Sequence, residues 1–444
     1  MRALISIAVL LTVGQAFSLP VGSPTRSKKK SPRRRAIPKP PPVSPKVRAE
    51  ANRQVFDYLA RAPEYPPENP AALIPFFERL FLHARGEAAE PVRIVQFGDS
   101  HTAADEWTGA MRALFQQQFG DGGSGFAFAG RPFLGYRRMD ARGGATRAWI
   151  TDGLIGRDIS GRNGLGGISI STRLPRQEVY LVAGCSNVEV FFLRQPGGGS
   201  LMLYDNGAVV EKIPTGGELG AGYHRYAAAP GLHRLELETL DRSPVRLYGW
   251  VAENERGVTY EALGINGAQA SIVFHWDETL LADQLARRNP ALIVLAYGTN
   301  EAGNPDWTPD SYRRMFFSLI ERLRKSAPAA SLLVAGPPDR FVRVRGKWTP
   351  HPRIDMIREA QREAALAAGC AFWDLREKMG GKGSMRKWVL AGLAQADHVH
   401  FTAPGYRLLG ETCFRDLIGQ YAAFTKIREE VAGRLQDGQA NPNH

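Results

Sequence analysis

The sequence is poor in cysteine, with only Cys185, Cys370 and Cys413 among 444 residues. So few thiols exclude a framework of several disulfides. At most one bridge can form, and free buried thiols are the simpler expectation. Internal repeats are also missing. The chain is therefore neither a disulfide-stabilised scaffold nor a repeat array, and its cysteines do not indicate a mechanism.

Acidic residues are missing from the first 48 positions, which contain eleven Lys or Arg. The formal net charge of the chain is +13, yet beyond residue 48 there are 46 basic and 44 acidic residues. The positive charge therefore belongs to an N-terminal segment and does not indicate a nucleic-acid-binding face. We expect this segment to contact an anionic polymer of the cell envelope. A plain solvated spacer is the alternative.

The N-terminus carries the only long apolar run, Ala3 to Val13, which follows Arg2 and ends near the small residues Ala16 and Ser18. This pattern predicts a signal peptide over residues 1–18. The run is short for a stable membrane span, and an uncleaved anchor is the alternative. Residues 19–48 are rich in Pro, Lys and Arg and predict an extended linker. The protein is expected to be secreted into the periplasm or cell envelope.

The full sequence is 43% hydrophobic, and beyond residue 48 its apolar residues follow two different patterns. Before residue 130 and after residue 255, apolar runs alternate with helical periodicity, which predicts an α/β fold with a parallel sheet covered on both faces. The predicted strands cover 94–97, 292–296, 331–335 and 371–375; the predicted helices cover 309–325, 353–368 and a terminal segment from Pro404.

Between these halves, short runs of alternating apolar residues are separated by glycine-rich turns, and Tyr204 to Gly207 forms a hairpin signal. The pattern predicts an all-β, sandwich-like insert over residues 131–255. The α/β domain would then be discontinuous, covering 49–130 and 256–430, with a flexible tail over 431–444.

Three polar motifs follow or flank the predicted parallel strands. Gly98-Asp99-Ser100-His101 follows the first strand, where a serine hydroxyl would lie at the carboxyl edge of the sheet. Asn300 follows a later strand, and its amide could stabilise an oxyanion in the same cleft. Gly267 could bring a backbone N–H to that point, because glycine permits close approach. A helix cap, a turn asparagine and a flexible connector are the respective alternatives.

The third motif is Asp397-His398-Val399-His400, directly before the terminal helix. A carboxylate three residues before an imidazole can hydrogen-bond one ring nitrogen, so that the other accepts a proton from a serine. On this interpretation His400 is the base and His398 is not. Two histidines also suggest a metal, but no further ligand cluster of suitable spacing accompanies them. We predict neither a metal nor a cofactor.

Taken together, the motifs resemble the SGNH branch of the GDSL hydrolases in residue type and in order. The resemblance covers most of residues 92–425 apart from the insert. It implies that Ser100 is the nucleophile, that Gly267 and Asn300 complete the oxyanion hole with the Ser100 amide, and that Asp397 orients the base His400. The motif around Asn300 reads GTNE, where many members have Asp after the Asn. This departure leaves the donor Asn300 untouched.

The longer runs GDSHTAADEWTG and GINGAQAS, with a β insert between them, resemble the peptidoglycan O-acetylesterases. That resemblance implies an acetylesterase acting on a cell-wall polysaccharide, with the insert acting as a carbohydrate-binding-like domain. Transfer of the acetyl group to a sugar would use the same acyl-serine, so an O-acetyltransferase is an alternative. A glycan-binding protein without turnover is a further one, disfavoured by the intact set of catalytic residue types.

Overall fold

A computed structural model describes residues 43–61, 66–155 and 160–440. The predicted signal peptide and most of the predicted linker lie outside these residues. Ten helices in the described part are α1 Pro45–Arg61, α2 Ile74–Ala84, α3 Ser100–Ala103, α4 Glu106–Phe119, α5 Glu278–Arg288, α6 Pro309–Ser326, α7 Ile354–Ala367, α8 Leu375–Lys378, α9 Ser384–Ala391 and α10 Ala403–Ala440. None of these described helices has both the length and the apolar character of a membrane span.

Sixteen strands run through the described residues. They are β1 Val92–Gly98, β2 Gly123–Phe128, β3 Arg142–Ala145, β4 Ile150–Asp152, β5 Ser169–Thr172, β6 Glu178–Arg194, β7 Ser200–Asp205, β8 Ala208–Pro214, β9 Gly220–Thr239, β10 Val245–Glu253, β11 Val258–Gly264, β12 Leu292–Ala296, β13 Ser331–Ala335, β14 Phe341–Val344, β15 Lys347–Pro350 and β16 Ala371–Trp373.

Five strands form a parallel sheet in the order β11-β1-β12-β13-β16. Alternate residues enter two separate apolar cores, because successive strand side chains point to opposite faces. Val95 and Phe97 lie in the core that α5, α6 and α7 cover, whereas Ile94 lies in the core that α2, α4 and α10 cover. The predicted α/β class is confirmed, since helices cover both faces of a parallel sheet.

The insert is a nine-stranded antiparallel sheet in which the long strands β6 and β9 pair over almost their whole length. A register shift between Cys185 and Asn187 divides β6 into two stretches that pair with β3 and with β10, respectively. The predicted hairpin joins β7 to β8, with Asn206 and Gly207 both at positive φ. One face encloses a core of its own, and Phe191 on the other face enters the core of the parallel sheet.

Three predicted boundaries differ from the structure. Strand β2 pairs with β10, so the antiparallel sheet begins before residue 131; its glycines, two of them at positive φ, disguise the strand in sequence. Helix α1 begins at Pro45, inside the predicted linker, because Val55 and Leu59 bury an apolar stripe. Helix α10 continues to Ala440, past the predicted start of the tail at 431. All three cysteines are free and buried, as expected.

Candidate active site

Three neighbouring strands bring the polar motifs to one edge of the parallel sheet. Strand β1 lies between β11 and β12, and all three run in the same direction. The loops after their carboxyl ends carry Ser100, Gly267 and Asn300, respectively. A serine, a backbone donor and an amide are thus brought to a common edge by strand order alone, which is where open α/β sheets bind ligands.

The turn that presents Ser100 is tight. A Cβ atom at Gly98 would lie 2.2 Å from the Thr102 hydroxyl oxygen and 2.8 Å from the Ala296 carbonyl oxygen, so only glycine fits between β1 and β12. Asp99 caps the short helix α3 by accepting a hydrogen bond of 2.9 Å from the His101 backbone N–H. The turn therefore fixes Ser100 as the first residue of a helix.

Ser100, His400 and Asp397 form a continuous hydrogen-bonded chain. The Ser100 Oγ atom lies 2.9 Å from His400 Nε2, and His400 Nδ1 lies 2.7 Å from Asp397 Oδ2. Asp397 Oδ1 also accepts hydrogen bonds of 3.0 Å from the backbone N–H groups of Val399 and His400. Backbone N–H groups of its own loop therefore hold this carboxylate in place, and the carboxylate in turn orients the imidazole.

The protonation states of Asp397 and His400 follow from those contacts. Burial alone would raise the pKa of Asp397, but the hydrogen bonds from His400 and from the backbone outweigh it and hold the pKa at about 2. The hydrogen bond to Asp397 raises the pKa of His400 above its usual value, against the opposing effect of burial. The site thus pairs an ionised carboxylate with a basic imidazole, which can accept the Ser100 proton.

His101 lies beside the chain and stays neutral. Its ring centroid is 5.3 Å from that of His400, and its Nδ1 atom is 2.8 Å from the Tyr406 hydroxyl oxygen. Burial lowers the pKa of His101 to about 3. A second positive charge therefore does not oppose protonation of His400 during a reaction.

Asn300 and Gly267 lie at the same edge but differ in their present contacts. The Asn300 amide donates to the Ala268 carbonyl at 2.9 Å and to Asp99 Oδ2 at 3.3 Å. Gly267 has φ 79°, a left-handed conformation that favours glycine, and it is exposed. Burial raises the pKa of Asp99 to about 6. The amide nitrogen is thus aimed between the serine turn and the Gly267 loop.

Glu301, to which the sequence motif assigns no specific role, joins the loops of both candidate donors. Its buried carboxylate accepts hydrogen bonds from the Ala270 N–H at 2.8 Å and from the Gly298 N–H at 2.9 Å. Burial raises its pKa to about 7. One side chain therefore sets the spacing between the loop of Gly267 and the loop of Asn300.

Asp105 explains the extended motif that follows Ser100. It is fully buried at φ 55°, and the Arg112 guanidinium donates to both of its oxygens at 2.8 and 3.0 Å. It also accepts a hydrogen bond of 2.7 Å from the Met139 N–H, which belongs to the insert. The serine helix and the start of the insert are thereby held together.

The cleft at Ser100 is small, and the insert contributes one residue, Arg137, to its lining. Its volume is about 180 Å³, and its lining includes Ser100, His400, Glu106, Gln395 and Arg137. The two candidate oxyanion donors Gly267 and Asn300 are not part of that lining. A separate cavity of about 320 Å³ on the insert is lined by Arg131 and Arg142 and shares Arg137 with the cleft. An exposed arginine therefore connects the serine with the surface of the insert.

A serine hydrogen-bonded through a histidine to an aspartate is the arrangement of a serine hydrolase, and the fold and site define that class. The family model of the GDSL-like lipase/acylhydrolases matches residues 224–408, a range that includes Asn300, Asp397 and His400 but not Ser100. A structure of a peptidoglycan O-acetylesterase superposes with a TM-score of 0.68 and 30% identity, covering 79% of this chain and 96% of that chain.

This chain belongs to the GDSL-like lipase/acylhydrolase family and is an SGNH acylhydrolase. Two more distant structures are a lipase/acylhydrolase from Enterococcus faecalis, with 21% identity, a TM-score of 0.29 and coverage of 37% and 77% of the two chains, and a family two carbohydrate esterase from Clostridium thermocellum, with 12% identity, a TM-score of 0.28 and coverage of 67% and 99%. No curated protein matches the chain.

Proposed function

We propose that this protein is a secreted serine esterase that removes O-acetyl groups from a cell-wall polysaccharide, namely peptidoglycan. The observation that carries the proposal is the hydrogen-bonded chain from Ser100 through His400 to Asp397 in a small cleft. The likeness to a peptidoglycan O-acetylesterase over 79% of this chain supports the substrate.

In the proposed mechanism, His400 Nε2 removes the Ser100 proton while Oγ attacks the acetyl carbonyl carbon. The carbonyl oxygen becomes an oxyanion, for which the Ser100 N–H, the Gly267 N–H and the Asn300 amide are the proposed donors. His400 then protonates the departing sugar oxygen, which leaves an acetyl group on Ser100. Water, deprotonated by His400, attacks this ester, and acetate leaves as Ser100 recovers its proton.

The size of the cleft favours a short acyl group. A volume of about 180 Å³ is below that of the pockets that enclose drug-sized ligands. An acetyl group fits this space, whereas a long fatty acyl chain would extend into solvent.

The insert is proposed to bind the glycan. Arg137 lies on the rim of the Ser100 cleft, and its backbone N–H lies 3.4 Å from the Ala103 carbonyl oxygen of the serine helix. The cavity on the insert, with Arg131 and Arg142, begins at the same arginine. A polymer held there would present its ester to Ser100, and this role is separate from the chemistry.

The experiment is to incubate the purified protein with O-acetylated peptidoglycan, with de-O-acetylated peptidoglycan as the matched control, and to quantify free acetate. Acetate should appear only from the acetylated polymer. A chito-oligosaccharide acceptor is then added, and the sugar is analysed by mass spectrometry. Acetyl groups recovered on the sugar would show that the protein is an acetyltransferase and not an esterase. Absence of both acetate and acetylated sugar would exclude O-acetylated peptidoglycan as the substrate.

A further inference from the structure

A small two-stranded hairpin, β14 and β15, stands apart from both large sheets beside the candidate active site. Residues 340–353 contain no acidic residue and five cations, Arg340, Arg343, Arg345, Lys347 and Arg353. Arg343, Arg345 and Lys347 are exposed at the tip, and none of these three has an acidic side chain of the described residues within ion-pair distance. Three like charges within five residues of one hairpin repel one another in the absence of an anion.

The base of the hairpin is fixed to the loop that carries Asp397 and His400. The Phe341 N–H donates to the His398 carbonyl at 3.1 Å, and the Trp348 ring centroid is 4.4 Å from that of His398. His398 itself has φ 58°, a left-handed conformation that few residues other than glycine adopt. Isolated two-stranded hairpins are marginal in water, so these contacts hold the hairpin in place.

A second anchor reaches the loop of Asn300. The guanidinium of Arg340, just before β14, donates to the Thr299 carbonyl oxygen. The hairpin is thus attached to two loops of the candidate site, while its charged tip is exposed. Of the anchoring residues, Phe341 is buried, Arg340 is half-buried and Trp348 is partly exposed, whereas the three cations at the tip are exposed.

We propose that the β14–β15 hairpin binds carboxylates of the polymer and holds that polymer beside Ser100. The proposal rests on the proposed function, because the polymer is the one whose esters would be hydrolysed. Peptidoglycan stem peptides carry carboxylates, which complement the three cations of the tip that have no acidic partner among the described residues. With Arg137 on the insert, basic side chains then approach the polymer from two separate parts of the chain.

Binding is tested in a Ser100→Ala background, which removes hydrolysis from the measurement. Arg343→Gln, Arg345→Gln and Lys347→Gln are combined, and cosedimentation with purified peptidoglycan sacculi is quantified at low and at high salt. Removing three exposed cations together should raise the Kd about tenfold at low salt. The matched control combines Arg314→Gln, Lys387→Gln and Lys426→Gln, which remove the same charge from exposed positions on helices; its Kd should not change.

Two further arms separate the possible outcomes. Sacculi whose carboxylates are converted to methylamides should lose the difference between the hairpin variant and the control. Hydrolysis of p-nitrophenyl acetate by the hairpin variant with Ser100 intact should stay within about twofold of wild type, because the tip does not touch the triad. Equal Kd values of the hairpin and control variants for sacculi would overturn the proposal. Binding to vesicles of anionic lipid is measured in parallel, and a tenfold loss of affinity for vesicles without a loss for sacculi would also overturn it.

The hairpin proposal and the proposed function fail in different assays. Acetate release from O-acetylated peptidoglycan with unchanged affinity of the hairpin variant would refute the carboxylate-binding role alone. Carboxylate-dependent binding of sacculi without acetate release would refute the proposed substrate chemistry and leave the hairpin as a polymer-binding element.

Discussion

Replacing Asp397 by Asn tests the electrostatics of the site most sharply. The structure gives Asp397 one short contact to the imidazole, 2.7 Å to His400 Nδ1, and two contacts to backbone N–H groups. The backbone contacts can persist with one amide oxygen, so the loop should keep its shape. The contact to the imidazole changes, because an amide NH2 can face Nδ1 and force the proton onto Nε2.

The size of the effect follows from two contributions. A hydrogen bond to an ionised partner contributes about 1.5–3 kcal/mol, so its loss in the transition state lowers the rate roughly 10- to 150-fold. The wrong tautomer removes the proton acceptor from Ser100 and lowers the rate further, to a total of about 10²–10⁴-fold. The hydrogen bond that His400 Nδ1–H donates to Asp397 is also the main reason that the pKa of His400 is raised.

The assay is hydrolysis of p-nitrophenyl acetate from pH 5 to pH 9. Neutral His400 is the active form, so kcat/KM of the wild type should rise with pH through a pKa above 6.5, the ordinary value for His400. In Asp397→Asn the pH at which the residual kcat/KM begins to rise should move to a lower value. The reason is that burial lowers the pKa of His400 once the hydrogen bond to the Asp397 carboxylate is lost. Asp57→Asn, an exposed change on α1, is the control. A variant within fivefold of wild type, with an unmoved pH profile, would refute this role of Asp397.

The remaining predictions concern the same site. His400→Ala should lose at least a hundredfold in kcat on p-nitrophenyl acetate, whereas His398→Ala should keep most activity; the reverse order would exchange their roles. Glu301→Gln leaves one acceptor for the N–H groups of Gly298 and Ala270, so thermal unfolding should show a loss of about 1–3 kcal/mol together with a lower kcat, and unchanged values of both would contradict the bridging role. Turnover should fall steeply from acetate to butyrate and be negligible for octanoate, because the cleft has a volume of about 180 Å³; a maximum at octanoate would indicate a lipase.

Apolar patterning predicted most of the parallel sheet because its strands are buried on both faces. Strand β12 reads Leu-Ile-Val-Leu-Ala and is buried throughout. Strand β11, its counterpart at the sheet edge, was not predicted, since it contains Thr259 and Glu261. Burial of Glu261 is made possible by Arg288, whose Nε donates to it at 3.1 Å. That partner is 27 residues away, so local periodicity does not reveal the strand.

The candidate site was predictable where its residues depend on strand order, and not where they depend on long-range contacts. Ser100 and Asn300 follow apolar strands, so a parallel sheet brings them to one edge. The bridge made by Glu301 depends on two backbone N–H groups from different loops, and neither leaves a signal in the sequence. The position of Arg137 at the cleft depends on how the insert packs against the serine helix.

The central claim is that the acetyl group passes through Ser100. The direct measurement is to mix the enzyme with p-nitrophenyl acetate, stop turnover with acid, digest the protein and locate acetyl groups by mass spectrometry. We predict an acetyl ester on the Ser100 hydroxyl in the wild type. Ser100→Ala should carry no acetyl ester at this site and should lose turnover by orders of magnitude. Retention of more than a tenth of wild-type turnover by Ser100→Ala, or an acetyl ester that forms and decays on another residue at the rate of turnover, would contradict the account.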